Sequence, residues 1–218
     1  MAEAEGLLNA GPLLCSPLRA VRRRQSGRAA YFDAAAPLFD SVTTRLQPTG
    51  FPRVTARAGP HAFDLQAIPD SLTFRKLPAL WVMVSLPEVL PVAATLDIMA
   101  RPSGQEIFSH HASLPQSLAR PDWLPPDTVS RSDDADHAPM PLVLPHAALF
   151  SDPAVKELLI SAKGLRLVIL AEEADRGRYL LFRDAELGGK PLPASRIRPL
   201  LDRLIALRTA IFAARAGE

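Results

Sequence analysis

Proline is the sequence feature that most limits what this chain can fold into. The chain has 22 prolines among 218 residues, about twice the average usage. Each proline lacks a backbone donor and disturbs a helix interior, so the sequence predicts long loops and extended segments. A chain of this length buries roughly 70% of its surface on folding, which predicts one main domain with a real hydrophobic core.

Charge is distributed unevenly along the chain. Five arginines stand in one acid-free stretch near the N-terminus: Arg19, Arg22, Arg23, Arg24 and Arg28. The remainder carries 20 basic and 23 acidic residues and is slightly acidic. We therefore expect residues 1–29 to be a disordered or loosely attached basic tail, and residues 30–218 to be a single domain with a subdivision near residues 101–146 as an alternative.

The single cysteine and the N-terminus bear on location. Cys15 alone excludes an intramolecular disulfide and any zinc site built from several cysteines. Glu3 and Glu5 replace the basic start of a signal peptide, and the longest apolar stretch, residues 77–86, is too short to span a bilayer. These features predict a cytoplasmic protein that is not transmembrane.

Three segments have helical patterns. Apolar residues of 31–46 fall on one stripe, interrupted by Pro37. The second predicted helix covers residues 153–163, with Asp152 at the N-cap, Pro153 at the first helical position and Gly164 just past the end. Ser195 is the predicted cap of a helix over 196–213, with Arg208 inside its apolar stripe. We expect Arg208 to be partly buried and paired with an acid from a strand or from residues 101–146.

Period-two patterns indicate strands with short connections. The predicted strands are 53–58, 62–68, 71–76, 80–86, 92–99, 165–171 and 178–183, with the last two forming a hairpin. The segment 101–146 is rich in proline and aspartate and favours only short local structure. The resulting fold class is α+β, with one or two mainly antiparallel sheets and helices packed on one face.

The segments RKLPALWVMV, KGLRLVIL and EADRGRYLLFR carry a resemblance. They resemble segments of a set of uncharacterised bacterial proteins, over about residues 50–212. The resemblance implies a bacterial origin and supplies no activity, cofactor or site residue.

Few residues suggest chemistry, because the phosphate-binding, nucleophile-elbow and HExxH motifs are absent. The segment SDDADH (Asp133, Asp134, Asp136 and His137) has the density of oxygen ligands that a cation needs, but solvated acidic loops are commoner. The other histidines are His61, His110, His111 and His146. Glu172 and Glu173 are expected in solvent, and Trp123 is expected to pin the long loop to the core rather than bind a partner. We predict no metal and no cofactor.

Three functions remain open. The first is a non-catalytic interaction or accessory protein, with a protein partner or a second copy as its partner. The second is an enzyme of unfamiliar type with a site beneath residues 101–146, where His and Asp concentrate. The third is a polyanion-binding protein that uses the arginine arm on nucleic acid or an anionic membrane. An Arg-rich composition without function is the alternative for that arm.

Overall fold

A computed structural model describes residues 26–71, 77–182 and 185–217. The strands are β1 (Ser41–Leu46), β2 (Pro52–Ala58), β3 (His61–Asp70), β4 (Ala79–Pro87), β5 (Leu96–Ala100), β6 (Gln116–Leu118), β7 (Thr128–Ser132), β8 (Val155–Ser161) and β9 (Gly164–Glu173). The helices are α1 (Arg176–Phe182) and α2 (Ala194–Ala216). Three 3-10 helices span Asp33–Leu38, His111–Ser113 and Met140–Ser151.

The nine strands form one sheet in the order β1-β2-β3-β4-β9-β8-β5-β7-β6. Every neighbouring pair is antiparallel. The predicted α+β class with a mainly antiparallel sheet is therefore confirmed. The order also shows that β4 and β9 meet across the middle of the sheet, which joins the N-terminal strands to β8, β5, β7 and β6.

The main core lies on one face of this sheet. Alternate residues of β4, including Leu80, Val82 and Val84, are fully buried there, as the period of two in a strand requires. Helix α2 contacts β4 and β9 and contributes Ile197 and Leu204 to the same core. That the helices pack on one face of the sheet stays a prediction.

The opposite face carries a smaller apolar cluster. Met99, Phe108 and Val168 are buried in it, with Trp81 and Met83 packed against them. Phe108 belongs to the long connection between β5 and β6, so that connection lies over this second face. The candidate site lies there.

The strand predictions for 53–58, 62–68, 80–86 and 165–171 are confirmed by β2, β3, β4 and β9. The predicted strand 92–99 is only partly right, because β5 begins at Leu96. Most of the predicted strand 71–76 lies outside the described residues. The segment 101–146 has short elements as expected, although β7 is a member of the main sheet.

The predicted helix over 153–163 is wrong, because those residues contain strand β8. Asp152 does not cap a helix there: its Oδ1 accepts the Ala154 amide at 2.8 Å in a local turn. Gly164, with φ of +134°, begins β9 directly after the turn from β8. Asp, Pro and Gly are common at helix ends and also in hairpin turns. Here residues 155–161 form a strand because they pair with β9 on one side and β5 on the other.

The predicted strand 178–183 and its hairpin with 165–171 are also wrong. Residues 176–182 form helix α1, with the Tyr179 amide bonded to the Asp175 carbonyl at 2.9 Å. Strand β9 pairs instead with β8 and β4. Because both edges of β9 are already bonded, a further hairpin strand has no place beside it.

The predicted helix over 31–46 is replaced by a 3-10 helix, Asp33–Leu38, followed by β1. The run Val42, Thr43 and Thr44 is β-branched and favours a strand. At the other end of the chain, the predicted helix 196–213 is confirmed by α2, but Pro193 rather than Ser195 occupies the N-cap.

Arg208 is partly buried and paired with an acid, as predicted, although the acid lies just after β4 and not on a strand or in residues 101–146. The Arg208 side chain is 27% exposed and pairs with Glu88, which follows β4. Nε and Nη2 donate to the two carboxylate oxygens at 2.6 Å each, and the guanidinium lies 4.4 Å from the centre of the Phe212 ring. These hydrogen bonds lower the pKa of Glu88.

We expect Arg208→Met to cost less stability than Glu88→Gln. Methionine keeps the apolar contact with Phe212, whereas loss of the carboxylate leaves a half-buried guanidinium unpaired. The expected losses in the free energy of unfolding are under about 0.5 kcal/mol and about 1 kcal/mol, respectively. Denaturant unfolding of both single variants and the double variant measures this, and strictly additive losses would contradict coupling between the two residues.

Candidate functional site

A pocket of about 370 Å³ opens on the second face of the sheet, where β3 and β9 end and β4 begins, near residues 101–108. Its apolar wall is the aromatic pair Trp81 and Phe108, with ring centres 5.1 Å apart and planes tilted by 52°. This volume lies within the range of small-molecule sites.

The register of the sheet sets the shape of the pocket floor. Ile68, Trp81 and Leu170 lie side by side on β3, β4 and β9. In the adjoining row, Ala79 lies between Asp70 and Glu173. The methyl side chain of Ala79 leaves a depression between two acidic positions, beside an apolar surface. The pocket is therefore amphiphilic.

A β-bulge in β8 supplies the polar wall. Val155 pairs with Ile169 and Glu157 pairs with Val168, so Lys156 is the extra residue between them. Bulges redirect side chains, and here two consecutive charged residues, Lys156 and Glu157, are both buried. Lys156 lines the pocket and lies 5.9 Å from the centre of the Trp81 ring.

Lys156 bonds to the backbone of Arg101, and Arg101 bonds to the backbone just before Lys156. The Lys156 ammonium donates to the Arg101 carbonyl at 2.5 Å, while Nη2 of Arg101 donates to the carbonyls of Pro153 and Val155 at 2.8 and 2.7 Å. Arg101 has φ of +48°, the one positive value among the described non-glycine residues. Such conformations cost energy and persist where surrounding bonds fix them. The reciprocal bonds keep the bulge and this edge of the pocket in place.

Glu106 completes the polar wall. Its Oε1 accepts the Ser103 amide at 2.6 Å and the Ser103 hydroxyl at 2.7 Å, and lies 3.0 Å from the Lys156 ammonium. Burial opposes ionisation of Glu106, but these hydrogen bonds outweigh it and lower the pKa to about 2. The carboxylate is therefore charged at neutral pH and ties the start of the long connection to β8.

A second polar cluster adjoins the pocket beneath the same connection. Asp97 on β5 and Glu157 on β8 are both buried on this face, and we call them the acid pair. Nε and Nη2 of Arg166 on β9 donate to Glu157 Oε2 at 2.9 Å each. Burial, and then the negative charge of Asp97, raise the pKa of Glu157 to about 7.

Ser109 and His111 cover the acid pair. The Ser109 hydroxyl donates to Asp97 Oδ2 at 3.5 Å, and His111 Nδ1 lies 3.3 Å from Asp97 Oδ1. The His111 side chain is 9% exposed, and neither ring nitrogen makes a hydrogen bond. Of the predicted histidines, only His111 is brought to this site among the described residues. His110, its exposed neighbour, points elsewhere.

The SDDADH segment lies apart from the pocket and bonds to its own surroundings. Asp133 accepts the Thr95 amide at 2.7 Å, and Asp134 accepts the Asp136 amide at 3.2 Å. His137 Nδ1 lies 2.8 Å from Asp134 Oδ2, and this hydrogen bond lowers the pKa of Asp134. Within the described ranges, no group of three or more His, Cys, Asp or Glu side chains could hold a metal ion.

The remaining predicted residues lie elsewhere. His61 begins β3 and lies near Phe63, and desolvation lowers the pKa of His146. Trp123 packs against the main core, which agrees with its anchoring role. Glu173 is exposed as expected, whereas Glu172 accepts the Gly188 amide at 2.8 Å.

Of the arginine arm, the structure describes only Arg28. Its guanidinium lies 5.2 Å from the centre of the Phe51 ring, and Nε donates to the Leu187 carbonyl at 3.3 Å. Arg19, Arg22, Arg23 and Arg24 lie outside the described residues. Polyanion binding by the arm stays a prediction.

Sequence reasoning missed Trp81, Arg101, Glu106, Lys156 and the acid pair. One signal was available: Lys156 and Glu157 are adjacent charged residues with hydrophobic residues on both sides of them in the sequence. Adjacent charges in such a run fit the polar side of a helix equally well, so the pattern alone did not identify buried ionisable groups.

The fold and the pocket together define an α+β protein with an amphiphilic pocket on one face of an antiparallel sheet. The chain matches no protein-family model, and a search of curated proteins finds none with significant sequence similarity. Within the described parts of the chain, every helix is too short or too polar to cross a membrane.

Proposed function

We propose that this protein is a non-catalytic binding protein and that the pocket beside Trp81 and Phe108 holds its ligand. The observation that carries the proposal is the way the polar wall is bonded. Lys156 donates to Arg101 and Glu106, and Arg101 donates to two backbone carbonyls. These charged groups therefore fix the shape of the pocket, as preorganised binding sites require.

The pocket chemistry supports a small ligand with an apolar body and polar groups. Trp81, Phe108 and Leu170 offer apolar contact, and charged side chains surround them. A few placed polar groups around an apolar floor are the usual composition of such sites. We include in this proposal a cytoplasmic location and a relationship to uncharacterised bacterial proteins.

Filling the pocket tests the proposal. We expect Ala79→Leu to weaken ligand binding at least about tenfold, because the larger side chain occupies the depression between β3 and β9. Thr55→Leu is the matched control, since Thr55 lies on the same sheet face, on β2, and does not line the pocket. The measurement is a fragment screen by saturation-transfer NMR, followed by titration of the fragments that bind.

Two results would contradict this function. Either no fragment binds the wild-type protein, or the fragments that bind keep their affinity in Ala79→Leu. Chemical conversion of fragments during the same NMR experiment would count against a non-catalytic role.

An enzyme of unfamiliar type is the second candidate, and the Asp97–His111 contact is the observation that favours it. A carboxylate beside Nδ1 favours the imidazole tautomer with its proton on Nδ1, which leaves Nε2 as a base. Substrate must reach Nε2, and that atom is buried. Turnover that His111→Asn abolishes, with binding retained, would establish this alternative.

A further inference from the structure

The segment 107–113 covers both the acid pair and one side of the pocket, and we call it the cover. Phe108 of the cover forms the pocket wall against Trp81. Ser109 and His111 of the same segment lie on Asp97. A movement of the cover would therefore change the pocket and expose the acid pair together.

The cover is tied down firmly only at its two ends. Glu106, just before it, is bonded to Lys156, and the Leu114 carbonyl, just after it, accepts Nε of Arg131 at 2.8 Å. Between these anchors its polar contacts with the sheet are those with the acid pair: Ser109 and His111 lie 3.5 and 3.3 Å from Asp97 oxygens, and Ser109 also hydrogen-bonds to Glu157. The middle of the cover is thus held mainly by apolar contact and by the acid pair.

The charges that face the acid pair come from every element around it. The cations are Arg166 on β9, Arg131 on β7 opposite Asp97, and Lys156 on β8, which is paired with Glu106. The cover adds His111 and the uncharged Ser109. Arg166 is engaged by Oε2 of Glu157, while Arg131 is bonded to a carbonyl and Lys156 to Glu106. Glu157 Oε1 and Asp97 Oδ1 are buried and have no hydrogen-bond partner. The positive charge of Arg166 on Glu157 offsets one ionised carboxylate of the pair more fully than two.

We propose that the acid pair controls the cover: with one proton bound to the pair the cover stays closed, and loss of that proton to solvent lifts the cover and opens the pocket. Two ionised carboxylates need water, because buried like charges without partners are costly. Water reaches them most directly when Ser109 and His111 move away. The cover is the bistable element, and the proton is the ligand that selects its closed state.

The link to ligand binding rests on the proposed function, whereas the movement of the cover does not. If the pocket needs Phe108 in place, ligand and proton bind cooperatively. Ligand affinity then falls as the pH rises through the titration of Glu157, whose pKa is about 7.

Trp81 reports the movement without any ligand. The chain has two tryptophans, so Trp123→Phe leaves Trp81 as the sole emitter. We expect its emission to shift to the red, and acrylamide quenching to rise, between about pH 5 and about pH 9 with a midpoint of about 7. Far-UV circular dichroism should stay constant over this range.

Variants in the same background identify the titrating group. Glu157→Gln should abolish the transition and keep Trp81 in its closed environment. Asp97→Asn should move the midpoint to lower pH, because it removes a neighbouring negative charge. Glu172→Gln, a part-buried glutamate of β9 outside the cluster, is the matched control and should leave the midpoint unchanged.

Several outcomes would overturn the proposal. One is Trp81 fluorescence that does not change with pH when residue 157 is glutamate. Another is a pH transition that persists in Glu157→Gln, above all if the same transition vanishes in His111→Asn. If Glu157→Gln does not fold, the wild-type signal and the Asp97→Asn midpoint decide the question. Failure to find any ligand would remove the proposed function and leave this result standing.

Discussion

Gly164→Ala is expected to lower the free energy of unfolding by about 3–5 kcal/mol, through backbone strain and overpacking together. Gly164 has φ of +134°, a conformation that alanine rarely adopts. A Cβ at this position would also lie 2.3 Å from the Leu86 carbonyl oxygen and 3.1 Å from the Glu88 amide nitrogen. Both neighbours are backbone atoms at the end of β4, so neither can move without disturbing the sheet.

Gly59→Ala is the matched control for that prediction. Gly59 lies in the turn between β2 and β3 with φ of +56°, and a Cβ there meets nothing within 4 Å. The expected loss is about 1 kcal/mol, since only the left-handed conformation is penalised. Denaturant unfolding measures both variants. Equal losses would show that the contact with β4 contributes nothing.

The second large effect concerns Glu157 and pH. We expect the stability of Glu157→Gln relative to wild type to increase as the pH rises from about 4.5 to about 7, by about 3 kcal/mol at most. Glutamine resembles the protonated acid, so the variant keeps a neutral group in the buried site at every pH. In this pH range the wild-type protein must instead bind a proton at Glu157 when it folds.

The sign follows from proton binding. Burial and Asp97 raise the pKa of folded Glu157 to about 7, against 4.5 for the ordinary carboxyl. Between these values the folded state binds a proton that the unfolded state releases, so wild-type stability falls as the pH increases. Glu106 has the opposite effect: because its pKa is lowered to about 2, it makes the folded state more stable as the pH rises, and it does so at lower pH than Glu157.

Wild type and Glu157→Gln differ only at residue 157. Subtracting their stabilities therefore removes the contribution that distant titrating groups such as His146 make to the pH dependence. Chemical denaturation at a series of pH values gives the difference directly. A difference that does not change with pH would mean that Glu157 has an ordinary pKa and that the acid pair is hydrated.

The sequence predicted the elements whose pattern allows one interpretation. Strands β2 and β3 alternate clearly, and the glycine turn between them agrees with this. Strand β4 is a short run that is apolar on both faces, which is typical of a central strand. Helix α2 is long enough for its apolar stripe to be unmistakable, which is why the pairing of Arg208 could be anticipated.

The errors arose where local signals fit two structures. The sequence around Asp152, Pro153 and Gly164 satisfies a helix, yet the same residues flank the hairpin strand β8. Residues 178–183 follow a turn-like ADRG segment and have the apolar and aromatic residues of a hairpin strand, but both edges of β9 are already paired. In both cases, hydrogen bonding to distant strands outweighed local preference.

The candidate site could not be predicted because its residues come from separate parts of the chain. Trp81, Arg101, Phe108 and Lys156 meet only through the pairing of β4, β9 and β8 and the path of the connection after β5. No short motif joins them. The bulge that buries Lys156 and Glu157 together depends on a register shift against β9.

By itself, the sequence determined the α+β class, the antiparallel strands and the apolar face of α2, because period and composition are local properties of the chain. Only the tertiary structure decided that β8 is a strand, that the ionisable residues of that strand are buried, and that a pocket lies beside them. Burial and strand pairing depend on which distant residues come into contact, and a charged side chain looks the same in sequence whether it faces water or a partner.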